Sequence, residues 1–442
     1  MQYLINGQKP LQGMVSISGA KNASLKLIIA ALLTDGVSRI DNVPRIRDVV
    51  SLLEIINYLG GEAKFIAKNT VQVENKLKSY HLPLEIGGKT RVSILLIAPL
   101  LHQFNQAILP NPGGCRLGER SVDRLIDSLK KMGARISYLS EDGYYHAKIT
   151  KTKTAVINFA KKSHTGTELA MMFASRIPVK TVINNAAQEP EIDDLIVFLN
   201  QAGAKIKRQG QQILVTGKKR LSATQFKVQP DRIEAVTFIV LSALFDGRIM
   251  IKNVTLKSIM PFLKPFTKAG FDYQYNQEKQ LLKIVQPKSI KPVSIVTAPH
   301  PGFLTDWQPL WTILMTQAQG SSTVHETVFE NRLGYIQDLK RFGCKIDFYQ
   351  PEVSAAEEVY QFNNYNPYKH RYQAIKIHGP TTLHNAYATM TDIRAGACLV
   401  LAALIAKGNS VISGAEQIER GYEDLLVKLT KLGAQARVVN SQ

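Results

Sequence analysis

Residues 424–433 read DLLVKLTKLG, and this stretch decides the fold because its ending recurs. Its apolar positions have amphipathic helical spacing, and glycine is the residue that most readily closes a helix, because no Cβ opposes the left-handed turn that follows. An apolar residue followed by glycine closes a helical pattern six times: Leu59-Gly60, Met132-Gly133, Ala202-Gly203, Ala269-Gly270, Phe342-Gly343 and Leu432-Gly433. The glycines are 73, 70, 67, 73 and 90 residues apart. A short run that alternates or is rich in β-branched residues usually follows, as in AKIKRQGQQILVTG at 204–217. A fixed period of this size marks an internal repeat.

Upstream in most units lies a second kind of helix, apolar on nearly every side: ASLKLIIAALL at 23–33, RVSILLIAPLL at 91–101 and RAGACLVLAALIA at 394–406. Such a helix belongs inside a domain. Each unit therefore predicts strand, buried helix, strand, outer helix and paired strands, an α/β architecture. Six units of this size group as two domains of three. The long last interval carries YQPEVSAAEEVYQFNNYNPYKHRY at 349–372, which reads as a surface insert.

The N-terminus lacks the basic start and apolar stretch of a signal peptide. The longest apolar run, CLVLAALIA at 398–406, is far short of the roughly 20 residues a membrane span needs. Three scattered cysteines give no disulfide framework and no metal site. A cytoplasmic protein is expected. Its 55 basic and 35 acidic residues give a net charge of +20, which favours anionic partners. The bases are spread, and no nucleic-acid-reading motif organises them, so an anion-binding cleft on a basic protein fits better than a dedicated nucleic-acid surface. Nothing in the sequence sets an oligomeric state.

NPGGCRLGER at 111–120 places Cys115 after Pro112, Gly113 and Gly114 and beside Arg116 and Arg120. Neighbouring guanidinium groups lower a thiol from its free value of about 8.5, so Cys115 is either a reactive thiol or a loop cysteine without a task. Lys21 follows a Ser-Gly-Ala turn at the expected start of a buried helix, where ammonium and helix N-terminus both suit an anion. Arg120 and Arg420 offer planar forks for carboxylate or phosphate, or surface salt bridges. Asp306, in a Pro-Gly-Phe-Leu-Thr-Asp loop, is a base or simply a turn or cap former.

Eight segments, in order, resemble the enolpyruvyl transferases, and within them the branch that modifies UDP-N-acetylglucosamine in bacterial cell-wall synthesis. They are LQGMVSISGAKNAS (11–24), GGCRLGERSVD (113–123), EPEIDDL (189–195), PDRIEA (230–235), TAPHPGFLTD (297–306), ETVFENR (326–332), TDIRA (391–395) and RGYE (420–423). The resemblance implies two pseudo-threefold domains built from six similar βαβαββ-type units around buried helices. In that fold the first strand completes the second domain. One domain is then 21–229, carrying a lid with Cys115, and the other is 1–20 with 230–442.

The implied reaction moves the enolpyruvyl group of phosphoenolpyruvate onto the 3-hydroxyl of the sugar by addition and elimination, with no metal or organic cofactor. By the same resemblance Lys21, Arg120 and Arg420 hold phosphoenolpyruvate with Arg394 close by, and Asp306 is the base. Cys115 is the lid acid or product-release residue, the thiol alkylated by the epoxide antibiotic fosfomycin. Asn22, Arg91, Arg120, Ser121, Val122, Asp123, Lys161, Ser163, Thr305, Asp306, Val328 and Arg332 surround the nucleotide sugar. Asp231 and Glu234 are hinge or network residues.

The sequence departs from the family pattern at Ser121 (usually proline), Arg116 (usually small), Gln188 (often arginine) and Val236 (often glycine). The largest departure is SHTGTE at 163–168, where Ser-Val-Gly-Ala-Thr-Glu is usual. His164 and Thr165 add bulk and polarity where the backbone is expected to approach the UDP moiety, and Lys161 and Lys162 would compensate by pairing with the diphosphate. A divergent paralogue using another nucleotide sugar is therefore a second reading. The sister reaction on shikimate 3-phosphate and a non-catalytic nucleic-acid or regulatory binder are the others.

Overall fold

All six helix-closing glycines have positive φ, between 88° and 110°, each directly after a helix C-cap. They do so in a computed structural model that describes residues 1–113, 122–363, 365–366, 368–370 and 372–439. The repeat is real at the level of topology. In five sheets an edge strand runs parallel to its neighbour, and two antiparallel strands complete the set. Ala155–Asn158 beside Lys180–Asn184, then Gln212–Thr216 and Lys205–Gln209, is one example. The sixth sheet, Gln106–Pro110 with Tyr144–Lys148 and Arg135–Leu139, keeps only a parallel bridge between His81 and Ile108 in place of its edge strand. The chain's first strand, Gln2–Asn6, lies between Asn409–Ser413 and Gln435–Val439, so the last repeat is finished by the N-terminus.

The described residues divide into two compact units, Met1–Ser18 with 230–439, and 19–113 with 122–229. Each has its own hydrophobic core. Three buried helices stand in each core: Lys21–Ala31, Ile97–Phe104 and His164–Ala174 in one, Arg232–Leu244, Gln308–Met315 and Ile393–Ile405 in the other. The stretch 91–101 differs from expectation, for Arg91–Leu96 is a 3₁₀ turn before the α-helix begins. Pro99 explains this, since it has no N–H to give Leu95 and an α-helix through both halves would lose that bond. Among the described residues no helix is long and apolar enough to cross a membrane.

The C-terminal carbonyls of these helices are met repeatedly by the end of their own sheet. A helix leaves its last carbonyls without partners. Gln8 N–H donates to Leu404, Lys218 N–H to Ser175 and Thr381 N–H to Thr316, in each case just past a strand-end glycine: Gly7, Gly217 or Gly379. In two other repeats side-chain amides do the same work, Asn75 to the carbonyl of Leu32 at 2.6 Å and Gln286 to that of Ala243 at 2.6 Å. The glycines are required by closeness. A Cβ on Gly217 would stand 2.2, 2.5 and 2.6 Å from the carbonyl oxygens of Ala174, Ile177 and Ser175. Gly217→Ala should therefore cost about 1–3 kcal/mol of stability in denaturant unfolding, since an overpacked contact against backbone cannot relax by a rotamer change. An unchanged midpoint would mean that the strand end is not held against the helix.

The 349–372 insert is less superficial than expected. Tyr368 and Tyr372 are exposed, but Tyr360 and Phe362 are buried. Tyr360 stacks on Phe362 and Tyr365 at 4.8 and 5.0 Å, and its hydroxyl meets His325 Nε2 at 3.0 Å. Aromatic area of that size is anchored by being removed from water.

Candidate functional site

Of the sequence-predicted site residues that are described, Lys21, Asn22, Ser163, Asp306 and Arg394 stand at or just before N-terminal ends of buried helices, whereas Arg91, Val122, Asp123, Val328, Arg332 and Arg420 lie on turns, loops or an outer helix. Cys115, Arg116, Arg120 and Ser121 lie outside the described residues.

In the 19–229 unit, Lys21 is the first residue of Lys21–Ala31 and is buried. Its Nζ lies 2.8 Å from Asp48 Oδ2, in the first turn of the Arg47–Tyr58 helix. An ammonium in such a place is held by its carboxylate and still adds to the positive end of the helix. Asn22, next in the chain, is half-buried, and Arg91, half-buried, opens the 3₁₀ turn. Val122 caps the Asp123–Lys131 helix, with Asp123 exposed in its first turn. Lys161 and Lys162 lead into Ser163, whose Oγ accepts from Gly166 N–H at 3.1 Å and caps His164–Ala174. Lys162 donates to Gln188 at 3.0 Å, so one of the two lysines expected at the diphosphate is engaged with the residue standing where arginine is common.

In the other unit four charges form one network. Asp306 Oδ1 accepts from Arg394 Nε at 3.1 Å and lies 3.5 Å from Arg332 Nη2. Arg332 Nη1 reaches Asp392 Oδ1 at 3.3 Å. Asp392 also caps Ile393–Ile405 by accepting from the N–H groups of Arg394 and Ala395. The Arg394 guanidinium lies over Tyr422, 5.2 Å from the ring centroid. Burial pushes the Asp306 carboxyl up, but Arg394 and Arg332 outweigh it and carry it below the usual carboxylate range. Asp306 is thus an anion at neutral pH. The Gln308–Met315 helix has no side-chain cap, so Asp306 is not the helix cap that a loop aspartate often is.

Glu326 was missed by the sequence reading. It is fully buried, accepts from Val328 and Phe329 N–H at 2.8 and 3.1 Å through Oε1, and from Thr305 Oγ at 2.9 Å through Oε2. One carboxylate therefore ties the Thr305–Asp306 loop to the segment carrying Val328 and Arg332. Its place at the head of ETVFENR was visible, but its long-range partner Thr305 was not. Glu326→Ala should cost about 1–3 kcal/mol for the donors left bare, with Glu326→Gln recovering most of it because its carbonyl still serves Val328 and Phe329. Equal loss in both, by urea titration, would mean that charge and not shape holds the loops.

Asp231, expected at a hinge or in a network, is the N-cap of Arg232–Leu244, accepting from Ile233 and Glu234 N–H. Glu234 pairs with Lys428 and accepts from Ser18 N–H at 2.8 Å, and Ser18 Oγ donates to Glu423 at 2.8 Å. Arg232 meets His300 Nδ1 at 3.2 Å. Arg420 ends a 3₁₀ turn at 415–420 and donates to Gln417 at 3.1 Å.

These two groups supply cations for carboxylate and phosphate oxygens, and one ionised carboxylate suited to taking a proton. The family model for EPSP synthase (3-phosphoshikimate 1-carboxyvinyltransferase) matches residues 5–429. The chain is 38% identical over 98% of its length to a UDP-N-acetylglucosamine 1-carboxyvinyltransferase of Campylobacter hominis, covering 98% of that protein. It is 37% identical over 97% of both chains to the protein of that name from Bartonella henselae. Among solved structures it is similar to the enolpyruvyl transferase NikO of Streptomyces tendae (TM-score 0.86, 22% identity, 99% and 98% of the two chains). It is also similar to the EPSP synthase of Acinetobacter baumannii (TM-score 0.72, 16% identity, 99% and 100%). At those identities the structures speak for the fold alone.

Proposed function

The chain belongs to the EPSP synthase family of enolpyruvyl transferases, and from that premise we propose that it transfers the enolpyruvyl group of phosphoenolpyruvate to the 3-hydroxyl of UDP-N-acetylglucosamine. Phosphate is released, and the product enters peptidoglycan precursor synthesis in the cytoplasm. The observation that carries this reading is identity of 36–38% over nearly the whole chain to proteins bearing that one activity in their name. The same relatives disfavour a non-catalytic binder, a different acceptor sugar and the shikimate reaction.

In this reading Asp306 removes the proton of the sugar hydroxyl as its oxygen bonds to C2 of phosphoenolpyruvate, while C3 gains a proton from Cys115. The tetrahedral product then returns a C3 proton to the Cys115 thiolate and breaks its C2–O bond to phosphate, restoring the double bond. The hydroxyl proton leaves, in balance, with phosphate. Lys21, Arg120 and Arg420 hold the phosphate and carboxylate, and Arg394, already at Asp306, stabilises charge that grows during addition. Arg332 fixes Asp306, and Thr305 and Val328, tied by Glu326, border the sugar. Asn22, Arg91, Ser121, Val122, Asp123, Lys161 and Ser163 hold the nucleotide.

The test is phosphate release from phosphoenolpyruvate with and without UDP-N-acetylglucosamine, with products weighed by mass spectrometry. Sugar-dependent phosphate together with an enolpyruvyl-bearing sugar is expected. Release that depends instead on shikimate 3-phosphate, or none with the nucleotide sugar, would overturn the proposal.

A further inference from the structure

The departure SHTGTE at 163–168 is joined in space to a second unusual feature, a lysine inside a buried helix. Lys26 is buried in the middle of Lys21–Ala31, and its Nζ lies 3.4 Å from Glu168 Oε2. Glu168 is fully buried on His164–Ala174, and its other oxygen, Oε1, lies 3.1 Å from His164 Nε2, one turn back. One carboxylate out of reach of water therefore lies within ion-pair distance of nitrogens on two helices, without hydrogen-bond geometry to either. His164 keeps a quarter of its side chain exposed, so it joins this interior pair to solvent. It stands next to Ser163, the cap of the same helix, and three residues after Lys161.

The charges around His164 come from three elements. Glu168 lies on its own helix, Lys26 on Lys21–Ala31, and Glu189 at the N-cap of Pro190–Gln201 also acts on it. The Asp123–Lys131 helix, packed against the same helix, buries Leu125, Ile126, Ser128 and Leu129. Ile97–Phe104 contributes His102, bonded at 2.8 Å to the carbonyl of Phe173, at the other end of the helix. With the imidazole neutral, two carboxylates face one ammonium. With it protonated, the charges balance.

We propose that His164 is a positioning residue whose proton fastens the first turn of His164–Ala174 to the buried Glu168–Lys26 pair, so that affinity for a nucleotide diphosphate sugar depends on the protonation of this imidazole. The proposal rests on the functional reading above, in which Lys161 and Ser163 hold the nucleotide. A proton on His164 fixes the turn that presents Ser163 and adds positive charge beside the diphosphate, and both effects act in the same direction.

The sign follows from the neighbours. Burial alone would lower the proton affinity of His164, but Glu168 and Glu189 outweigh it and raise it above the usual histidine value. The stabilisation is thus complete below about pH 6.5 and is lost as the pH rises through the raised value.

The experiment compares wild type, His164→Gln and Glu168→Gln between pH 5.5 and 9, which spans about 6.5 on both sides. Calorimetry with UDP-N-acetylglucosamine measures binding, and thermal unfolding of the free protein gives a second readout. Wild type should lose affinity on the order of tenfold as pH rises, corresponding to a proton affinity changed by about one pH unit on binding. His164→Gln should be flat over the same range, and Glu168→Gln should move the transition to lower pH. The stability gap between wild type and His164→Gln should shrink at high pH. Parallel pH profiles in all three proteins, in binding and unfolding alike, would overturn the role of His164 and leave the functional reading intact. A pH-dependent stability gap with no nucleotide-sugar binding at any pH would instead overturn the functional reading, and with it the ligand half of this proposal.

Discussion

Asp306→Asn should lower kcat by about 10²- to 10⁴-fold, the range expected when a positioned general base is removed. The amide keeps a carbonyl for Arg394 Nε, now 3.1 Å from Oδ1, and fills the same space, so the fold should survive. Phosphate release in steady state, alongside a thermal melt, separates loss of chemistry from loss of structure. Less than a tenfold fall in kcat would remove Asp306 from the role of base. Because Arg394 and Arg332 hold this carboxyl below its usual range against the push of burial, Asp306 stays ionised at neutral and mildly acidic pH. An acid limb in kcat near neutral pH would therefore belong to another group.

Arg332→Met should be the most damaging single change to stability, at about 3–5 kcal/mol, because it strips a buried cation from the buried Asp392 and from the partly exposed Asp306. Arg332 is only 2% exposed, and it lies 3.3 Å from Asp392 and 3.5 Å from Asp306. Methionine keeps the packing volume, so a loss of this size reports charge. Arg332→Lys should recover only part of it, since a single ammonium cannot address both acids as the fork does. Guanidinium unfolding decides the matter. A cost below about 1 kcal/mol would mean that solvent compensates the acids, as it does for exposed pairs.

What the sequence revealed depended on whether the cause was local. The helix-closing glycines were legible because a left-handed residue after a helix is a property of a few neighbouring positions. The buried helices were legible because they lack a polar face, although Pro99 moved one start point. Strand-end glycines such as Gly217 were not legible. Their reason is a carbonyl on another element, and the sequence shows only a glycine after a strand. Asp392 was part of TDIRA without a role of its own, and both its cap of Ile393–Ile405 and its contact with Arg332 needed the fold. Glu168 and Glu326 are the same kind of case: a carboxylate in water and one in a core look identical in sequence, and only the tertiary structure supplies its partners. The reading of Cys115 as a reactive thiol falls outside the described residues.

The strand-end caps on the helix C-termini have an evolutionary consequence. In five of the repeats the C-terminal end of the central helix is secured from its own sheet, through backbone donors or the amides of Asn75 and Gln286. The opposite ends, where Lys21, Ser163, Asp231 and Asp392 stand, are held separately, three of them by a single capping side chain. Substitutions such as His164 can accumulate there while the scaffold stays intact. A lineage built this way can alter what it recognises in small steps without first acquiring a more stable fold.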